Sequence, residues 1–143
     1  MGKPGAWAIN ISIHAEVDAN AAYTNMAAAD SFLFGSVRHV QLIDLSGMSQ
    51  CRLKVNKQTT AGASGATLRL AYALSYSTSV GSYSDISDTP CAVAIDVQNT
   101  YLDSGWFDMK PEATGGDVFI AIIGNGGDGA LDPAFGAISV AFQ

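Results

Sequence analysis

The side chains that most often perform catalysis are scarce in this 143-residue chain. It has two histidines, His14 and His39, and two cysteines, Cys51 and Cys91. None of the four lies at a metal-ligand spacing from another. The sequence contains no HExxH motif, no GxSxG nucleophile elbow and no Walker A or dinucleotide-binding glycine loop. We therefore expect a protein that is not an enzyme and that holds no cofactor.

A glycine-rich segment over residues 124–133 is the one candidate for a metal site. Its oxygen-bearing side chains are Asn125, Asp128 and Asp132, and calcium prefers ligands of this kind. The spacing differs from that of an EF-hand loop, and one carboxylate pair should bind calcium weakly. The alternative is a tight connection in which the aspartates accept hydrogen bonds from backbone amides.

Carboxylates for glycoside hydrolysis would have to come from scattered aspartates, namely Asp96, Asp103, Asp108 and Asp117. No pattern singles out two of them.

Aromatic residues give a second candidate site, because exposed rings on a sandwich can stack on sugars. Tyr101 lies near a predicted loop and Trp106 begins a short strand-like segment. A Tyr101–Trp106 platform would make the chain a carbohydrate-binding module, although their spacing does not require it.

The charge balance argues against two classes of partner. Seven basic and thirteen acidic residues give a net charge of −6, whereas nucleic-acid binding relies on clustered lysine and arginine. The only cluster is Arg52, Lys54 and Lys57, and strand alternation places Arg52 and Lys54 on a solvated face. We expect neither a nucleic acid nor a membrane as partner, since an anionic membrane surface also attracts basic segments.

Charged residues make up 14% of the chain, against about 25% in typical soluble domains. No apolar run approaches the roughly 18 residues of a membrane span, and residues 1–8 lack the hydrophobic stretch of a signal peptide. Cys51 and Cys91 are expected to be reduced, buried thiols rather than a disulfide framework. These features favour a chain made and folded in a cytoplasm.

Apolar residues alternate with polar ones along most of the chain, which predicts β-strands. The first strand contains Trp7, Ile9, Ile11 and Ile13 on its apolar face. Further strands are predicted at Phe32–Phe34, Val37–Leu45, Gln50–Lys57, Ala66–Ser77, Ala92–Gln98, Gly105–Met109, Asp117–Ile123 and Gly136–Phe142. Residues 15–31 show no clear period, and either a short helix or a long loop fits them. Eight or nine strands without a helical pattern predict a single all-β domain over residues 1–143.

The residue types on the two faces of the predicted strands indicate that the chain assembles into an oligomer. We expect Cys51, Leu53 and Val55 to point inward, and the even-numbered residues from Leu68 to Tyr76 to share one face. The opposite faces carry small residues, among them Ala71, Ala73, Ala92, Ala94, Ala137 and Ala141. Solvated sheets usually carry charge there, so we expect neighbouring subunits to cover much of this surface. The strand around Phe119 is apolar on both faces and is either central in its sheet or part of a subunit contact.

The later part of the chain resembles a known family. The segments Leu68-Arg69-Leu70-Ala71-Tyr72 and Ser104-Gly105-Trp106-Phe107, and above all the closing GDG-x-x-DPAFG segment over residues 127–136, look like small jelly-roll structural proteins of tailed bacteriophages. Such proteins decorate capsids or tails. The resemblance covers about the last two-thirds of the chain.

This resemblance implies an antiparallel β-sandwich of jelly-roll type with about eight strands, which forms a homotrimer and cements a virion shell. The partners would be further copies of the chain and a major capsid or tail protein. The protein would be made in the host cytoplasm and reside in the virion, without a catalytic residue. Residues 1–6, with Gly2, Pro4 and Gly5, are expected to form an arm that contacts the shell. A carbohydrate-binding module remains the competing class, because jelly rolls host both roles.

Overall fold

The computed structural model describes residues 9–14, 31–33, 41–57, 67–77, 79–95, 101–125 and 135–143. In chain order the strands are β1 (Ile9–His14), β2 (Ser31–Leu33), β3 (Gln41–Asp44), β4 (Gln50–Lys57), β5 (Thr67–Ala73), β6 (Ser84–Asp85), β7 (Ala92–Ala94), β8 (Leu102–Asp103), β9 (Phe107–Asp108), β10 (Asp117–Asn125) and β11 (Phe135–Phe142). Two short 3₁₀ turns lie at Val80–Ser82 and Pro111–Thr114. The predicted all-β chain is confirmed over these ranges.

The strands form two antiparallel sheets. In the first sheet β11 lies between β1 and β4, and β8 and β9 follow one another along the other edge of β4. In the second sheet β10 and β5 are central. The outer edge of β10 pairs with β2 and β3, and the outer edge of β5 pairs with β6 and β7.

These short strands work in pairs. If β2 with β3, β6 with β7 and β8 with β9 are each counted as one interrupted strand, the eleven strands become eight. Their order is then 1-8-3-6 in the first sheet and 2-7-4-5 in the second. This is the strand order of a jelly roll. The predicted antiparallel β-sandwich of about eight strands is therefore confirmed.

The main core lies between the inward faces of the two sheets. The first sheet contributes alternate residues of β4 and β11, and the second contributes alternate residues of β5 and β10. Fully or almost fully buried members are Cys51, Leu53, Val55, Leu68, Leu70, Val118, Ile120, Ile122, Ile138, Val140 and Phe142. The predicted inward face of β4 is confirmed. Because strand side chains alternate, a shift of one residue in any of these strands would turn its apolar set toward the outer face.

The strand around Phe119 is central in its sheet. β10 pairs with β3 and β5 on opposite edges, so that Phe119 faces Leu42 on one side and Ala73 on the other. Its inward residues join the main core, while Ala121 and Ile123 are buried on the outer face. Of the two alternatives open from the sequence, central placement with both faces covered within the chain accounts for this strand.

The structure corrects the predicted environment of the alanines on the outer faces of the sheets. Ala71 and Ala73 are buried within the chain itself, in a second cluster with Tyr83, Ala121 and Ile123. Ala141 is also buried, whereas Ala92 is half-buried and Ala94 exposed. The expectation that neighbouring subunits cover these positions is therefore wrong for Ala71, Ala73 and Ala141. Ala71 and Ala73 pack with the larger side chains of Tyr83 and Ile123, against which Phe119 also packs. The side chain of Ala137 lies outside the described residues.

The predicted strand at residues 66–77 is too long at its carboxyl end. β5 stops at Ala73, and Leu74 and Tyr76 are 68% and 54% exposed instead of sharing the inward face of Leu70. The serines that follow favour a turn. The Ser77 hydroxyl accepts a hydrogen bond from the Ser79 amide at 3.0 Å, and the Tyr83 hydroxyl donates to the Ser77 carbonyl at 2.9 Å. These local hydrogen bonds compete with continued strand pairing.

Several other boundaries differ. The strand expected at residues 92–98 is described only as Ala92–Ala94, followed by the buried Ile95, and the one expected at residues 105–109 is Phe107–Asp108. β6 and β8 contain two residues each, which is too few for an alternation of polar and apolar residues to be recognised in the sequence. Trp7, His39, residues 15–30 and the proposed arm at residues 1–6 lie outside the described residues.

A matched pair of leucine substitutions tests where β5 ends. Leu70→Ala removes a fully buried side chain and should lower the free energy of unfolding by about 2–5 kcal/mol. Leu74→Ala removes an exposed one and should change it by no more than about 0.5 kcal/mol. Urea denaturation followed by circular dichroism measures both. Equal losses in the two variants would show that Leu74 belongs to the core.

Candidate functional site

An arginine and a tryptophan meet on the outer face of the first sheet. Arg52 points outward from β4, and its guanidinium carbon lies 5.6 Å from the centroid of the Trp106 ring. The Nε atom of Arg52 donates to Oδ1 of Asp103 at 2.7 Å, and a second guanidinium nitrogen contacts the other carboxylate oxygen. This bidentate ion pair holds the guanidinium near the ring, at a distance suited to cation–π attraction. We call Arg52, Tyr101, Asp103 and Trp106 the arginine–tryptophan cluster.

The turn between β8 and β9 positions this cluster. Ser104 and Leu53 exchange hydrogen bonds, since the Ser104 amide donates to the Leu53 carbonyl and the Leu53 amide donates to the Ser104 hydroxyl, both at 2.9 Å. Gly105 has φ of +75°, which a glycine adopts without strain, and its amide donates to Oδ1 of Asp103 at 2.9 Å. The turn is thereby fixed against β4 and carries Trp106 to Arg52.

The cluster also sets the ionisation of its charged groups. Hydrogen bonding from Arg52, aided by the Gly105 amide, holds the pKa of the Asp103 carboxyl below its usual value. In return, the hydrogen bond to Asp103 raises the pKa of Arg52, and the nearby Tyr101 adds to this electrostatically. Tyr101 is 54% exposed, whereas Trp106 is half-buried. Trp106 thus contacts Arg52, while Tyr101 directly precedes β8 and acts on Arg52 only electrostatically.

A polar depression of about 390 Å³ adjoins Trp106. It is lined by Gln50, Ser87, Asp88, Thr89, Trp106, Phe107 and Asp108. The Gln50 side-chain amide donates to Oδ1 of Asp108 at 3.1 Å and accepts from the Gln143 side chain at 2.8 Å. Carboxylate and amide oxygens beside an aromatic ring can accept hydrogen bonds from the hydroxyl groups of a polar ligand.

The second sheet carries a different surface, a row of exposed apolar side chains. Leu42 and Phe119 are register partners on its outer face, and Leu42 is 58% exposed. The Tyr76 ring packs edge-on against the Phe119 ring, with centroids 5.9 Å apart. Leu74 lines the same shallow depression as Tyr76. We call Leu42, Phe119, Tyr76 and Leu74 the apolar row.

Other predicted candidates are not brought together. Asn125 ends β10, and Asp128 and Asp132 lie outside the described residues, as does Asp96. The part of the chain that the structure describes contains no group of three histidine, cysteine or acidic residues that could hold a metal. It also contains no helix long and apolar enough to cross a membrane. Asp108 pairs with Gln50, while Asp103 pairs with Arg52.

Nothing in the sequence points to the Arg52 contact. Strand alternation predicts Arg52 on a solvated face, and its pairing with Asp103 links residues 51 positions apart. An arginine and an aspartate on separate predicted strands suggest no partnership until the register is known, so only the sheet topology could have identified it.

The fold and surface define a class, an antiparallel β-sandwich with a polar outer face on one sheet and an apolar row on the other. Comparison of the chain with protein-family models, with curated proteins and with solved structures finds no match.

The ion pair predicts an acid-sensitive contribution to stability. Arg52 lowers the pKa of folded Asp103 below the unfolded value of about 3.9. Its contribution is therefore complete above the unfolded pKa and is lost as the pH falls through the folded pKa. Asp103→Asn should lower the unfolding free energy at pH 7, and the difference from the unsubstituted chain should shrink on acidification.

Denaturant titrations at pH 7 and at successively lower pH measure this difference. In a background of Arg52→Gln, the same Asp103→Asn change should produce a smaller pH-dependent difference, because only the weaker contribution of the Gly105 amide remains beside that of Lys54. A difference that is constant with pH, or one that is equally large without Arg52, would contradict the assignment.

Proposed function

We propose that the chain is a non-enzymatic virion structural protein, a capsid decoration or cement protein that acts as a homo-oligomer, most simply a homotrimer. The observation that carries this proposal is the apolar row on the outer face of the second sheet. Contiguous exposed apolar side chains on a soluble domain usually mark an interaction surface. The resemblance to phage structural proteins supplies the context, and the jelly-roll strand order agrees with it.

The apolar row replaces the alanine faces as the proposed subunit contact. Ala71 and Ala73 are buried within the chain, so they offer no surface to a neighbour. Leu42, Leu74 and Tyr76 are each more than half exposed. Burying side chains of this size stabilises an interface by roughly 25 cal/mol for each Å² removed from water. We assign the contact between copies to this row, and the contact with the shell to a separate surface.

Charge placed in the apolar row should dissociate the oligomer. Tyr76→Glu would bury a carboxylate in the contact and should raise the dissociation constant about thirtyfold or more, as loss of an interface hot spot of about 2 kcal/mol does. Tyr101→Glu is the matched control, because Tyr101 is equally exposed and lies on the other sheet. Analytical ultracentrifugation and native mass spectrometry measure the oligomeric state.

A monomeric unsubstituted chain at micromolar concentration, or equal behaviour of the two variants, would overturn this contact. The shell-binding part of the proposal is tested by sedimenting the full chain with capsids of the phage that encodes it. Cosedimentation at a fixed ratio to the major capsid protein supports decoration, and no cosedimentation rejects it.

A carbohydrate-binding module is the second candidate, and the arginine–tryptophan cluster favours it. Tyr101 and Trp106 are close to the same arginine, and Trp106 forms one wall of the polar depression. Arg52 lies over the Trp106 ring, which leaves less of that ring available to stack on a sugar than a free platform would have.

Trp106→Ala distinguishes this second candidate. It should weaken retention of the chain in polysaccharide affinity electrophoresis by about tenfold, the effect of losing one aromatic contact of about 1.4 kcal/mol. Tyr76→Ala, on the opposite sheet, should leave retention unchanged. If the unsubstituted chain is not retained by any polysaccharide in a panel from bacteria and plants, the hypothesis of a carbohydrate-binding module is wrong.

A further inference from the structure

Two free thiols from different sheets meet in the main core. Cys51 lies on β4 of the first sheet, and Cys91 immediately precedes β7 of the second. Both have no exposed surface and belong to the same buried cluster. The Cys91 carbonyl accepts a hydrogen bond from the Leu70 amide at 2.9 Å, which ties Cys91 to β5. The pair therefore spans the space between the two sheets.

Ser104 fixes the Cys91 sulfur against β4. The Sγ atom of Cys91 lies 3.3 Å from Oγ of Ser104, and the same oxygen accepts a hydrogen bond from the Leu53 amide at 2.9 Å. Leu53 is the next inward-facing residue after Cys51 on β4, so Cys91 lies beside this stretch of strand. Cys51 and Cys91 belong to the same buried core cluster, and each side chain shifts the pKa of the other. Two neighbouring thiols have the first requirement for a disulfide.

The two thiols are not equivalent. The interaction with Cys51 lowers the pKa of Cys91 against the opposing effect of burial, and the same interaction, together with burial, raises the pKa of Cys51. Cys91 also adjoins the short edge strand β7, whereas Cys51 lies on β4 between β11 and β9. Cys91 is therefore the sulfur that reacts first with an oxidant, and Cys51 is the resolving thiol.

We propose that Cys51 and Cys91 are a peroxide-sensitive pair that forms a disulfide across the sandwich. The Cys91 thiolate attacks one oxygen of hydrogen peroxide, the O–O bond breaks, and hydroxide leaves and takes up a proton to become water. Cys91 is then a sulfenic acid. The Cys51 sulfur attacks the Cys91 sulfur, its proton goes to the departing hydroxyl group, and a second water is released. Two thiols and one peroxide thus yield one disulfide and two waters.

The position of the pair suits a small oxidant. Cys91 adjoins the short edge strands β6 and β7, and edge segments with few ladder hydrogen bonds open locally at lower cost than central strands. Hydrogen peroxide is little larger than water and needs only a slight opening. Once formed, the bond closes the loop from residue 51 to residue 91 and restrains the unfolded chain, so the oxidised protein should unfold at a higher temperature.

The test treats the folded, reduced, full-length chain with hydrogen peroxide, removes the peroxide with catalase, and denatures the protein in excess maleimide. The expected intact mass is lower by two hydrogen atoms, with no maleimide attached. Trypsin should then release residues 39–52 joined to residues 70–143, and this species should disappear on reduction. The thermal unfolding midpoint should rise by several degrees and return to its original value after reduction.

Cys51→Ala and Cys91→Ala are the control variants. Neither should lose two hydrogens or gain thermal stability with peroxide. Cys51→Ala should instead add oxygen to Cys91 faster than Cys91→Ala adds it to Cys51. The proposal is overturned if the peroxide-treated unsubstituted chain binds two maleimides, if it only gains oxygen atoms, or if the linked peptides come from a covalent dimer on a non-reducing gel. The readouts that overturn the proposal are made on the unsubstituted chain, so a variant that fails to fold does not weaken the result.

Discussion

Two-sided burial of β10 is the constraint on which the second sheet depends. Its backbone pairs with β3 and β2 along one edge and with β5 along the other. Its side chains must then satisfy two environments, with Val118, Ile120 and Ile122 in the main core and Ala121 and Ile123 under the outer cluster. A central strand covered on both faces cannot use the alternation of polar and apolar residues that fixes register elsewhere. Its register depends on the pairing with β3 and β5.

This burial changes the meaning of the low charge content. Alanine at outer-face positions 71, 73, 121 and 141 is not surface awaiting a partner, because the chain buries all four. Part of the missing charge is thus accounted for by a second apolar layer on the outer face of the second sheet. The surface that remains available to a partner is smaller than the alanine faces and differs from them chemically. It consists of a few large side chains at one end of that face. A large apolar side chain that is exposed is evidence of a contact surface. A small residue on a strand face is weaker evidence, since small residues are common at buried sites.

The sequence was sufficient for the fold class and for the long strands, and insufficient where structure depends on distant pairing. Alternation on β4 places Cys51, Leu53 and Val55 inward correctly, because a period of two needs only local information. It failed for Leu74 and Tyr76, where the pattern continues past Ala73 but serine hydrogen bonds end the strand. It could not find β6 or β8, since two residues have no period. The Arg52–Asp103 pair required knowledge of which strands are neighbours.

Ser104 connects the interior of the molecule to its polar surface. Its hydroxyl lies against the Cys91 sulfur in the core and accepts the Leu53 amide, while its backbone amide holds the turn that carries Asp103 and Trp106. The Arg52 ion pair and the contact between the thiols are thus supported by the same stretch of β4, with Arg52 pointing outward between the inward Cys51 and Leu53. Strand alternation makes this possible, because one backbone segment delivers successive side chains to opposite faces. A change in the position of Cys91 must move Ser104 or break the contact between the Cys91 sulfur and the Ser104 hydroxyl, and a displaced Ser104 alters the support of Trp106. The first sheet therefore has a polar face whose geometry is set from the core, while the apolar row of the second sheet is built independently of it.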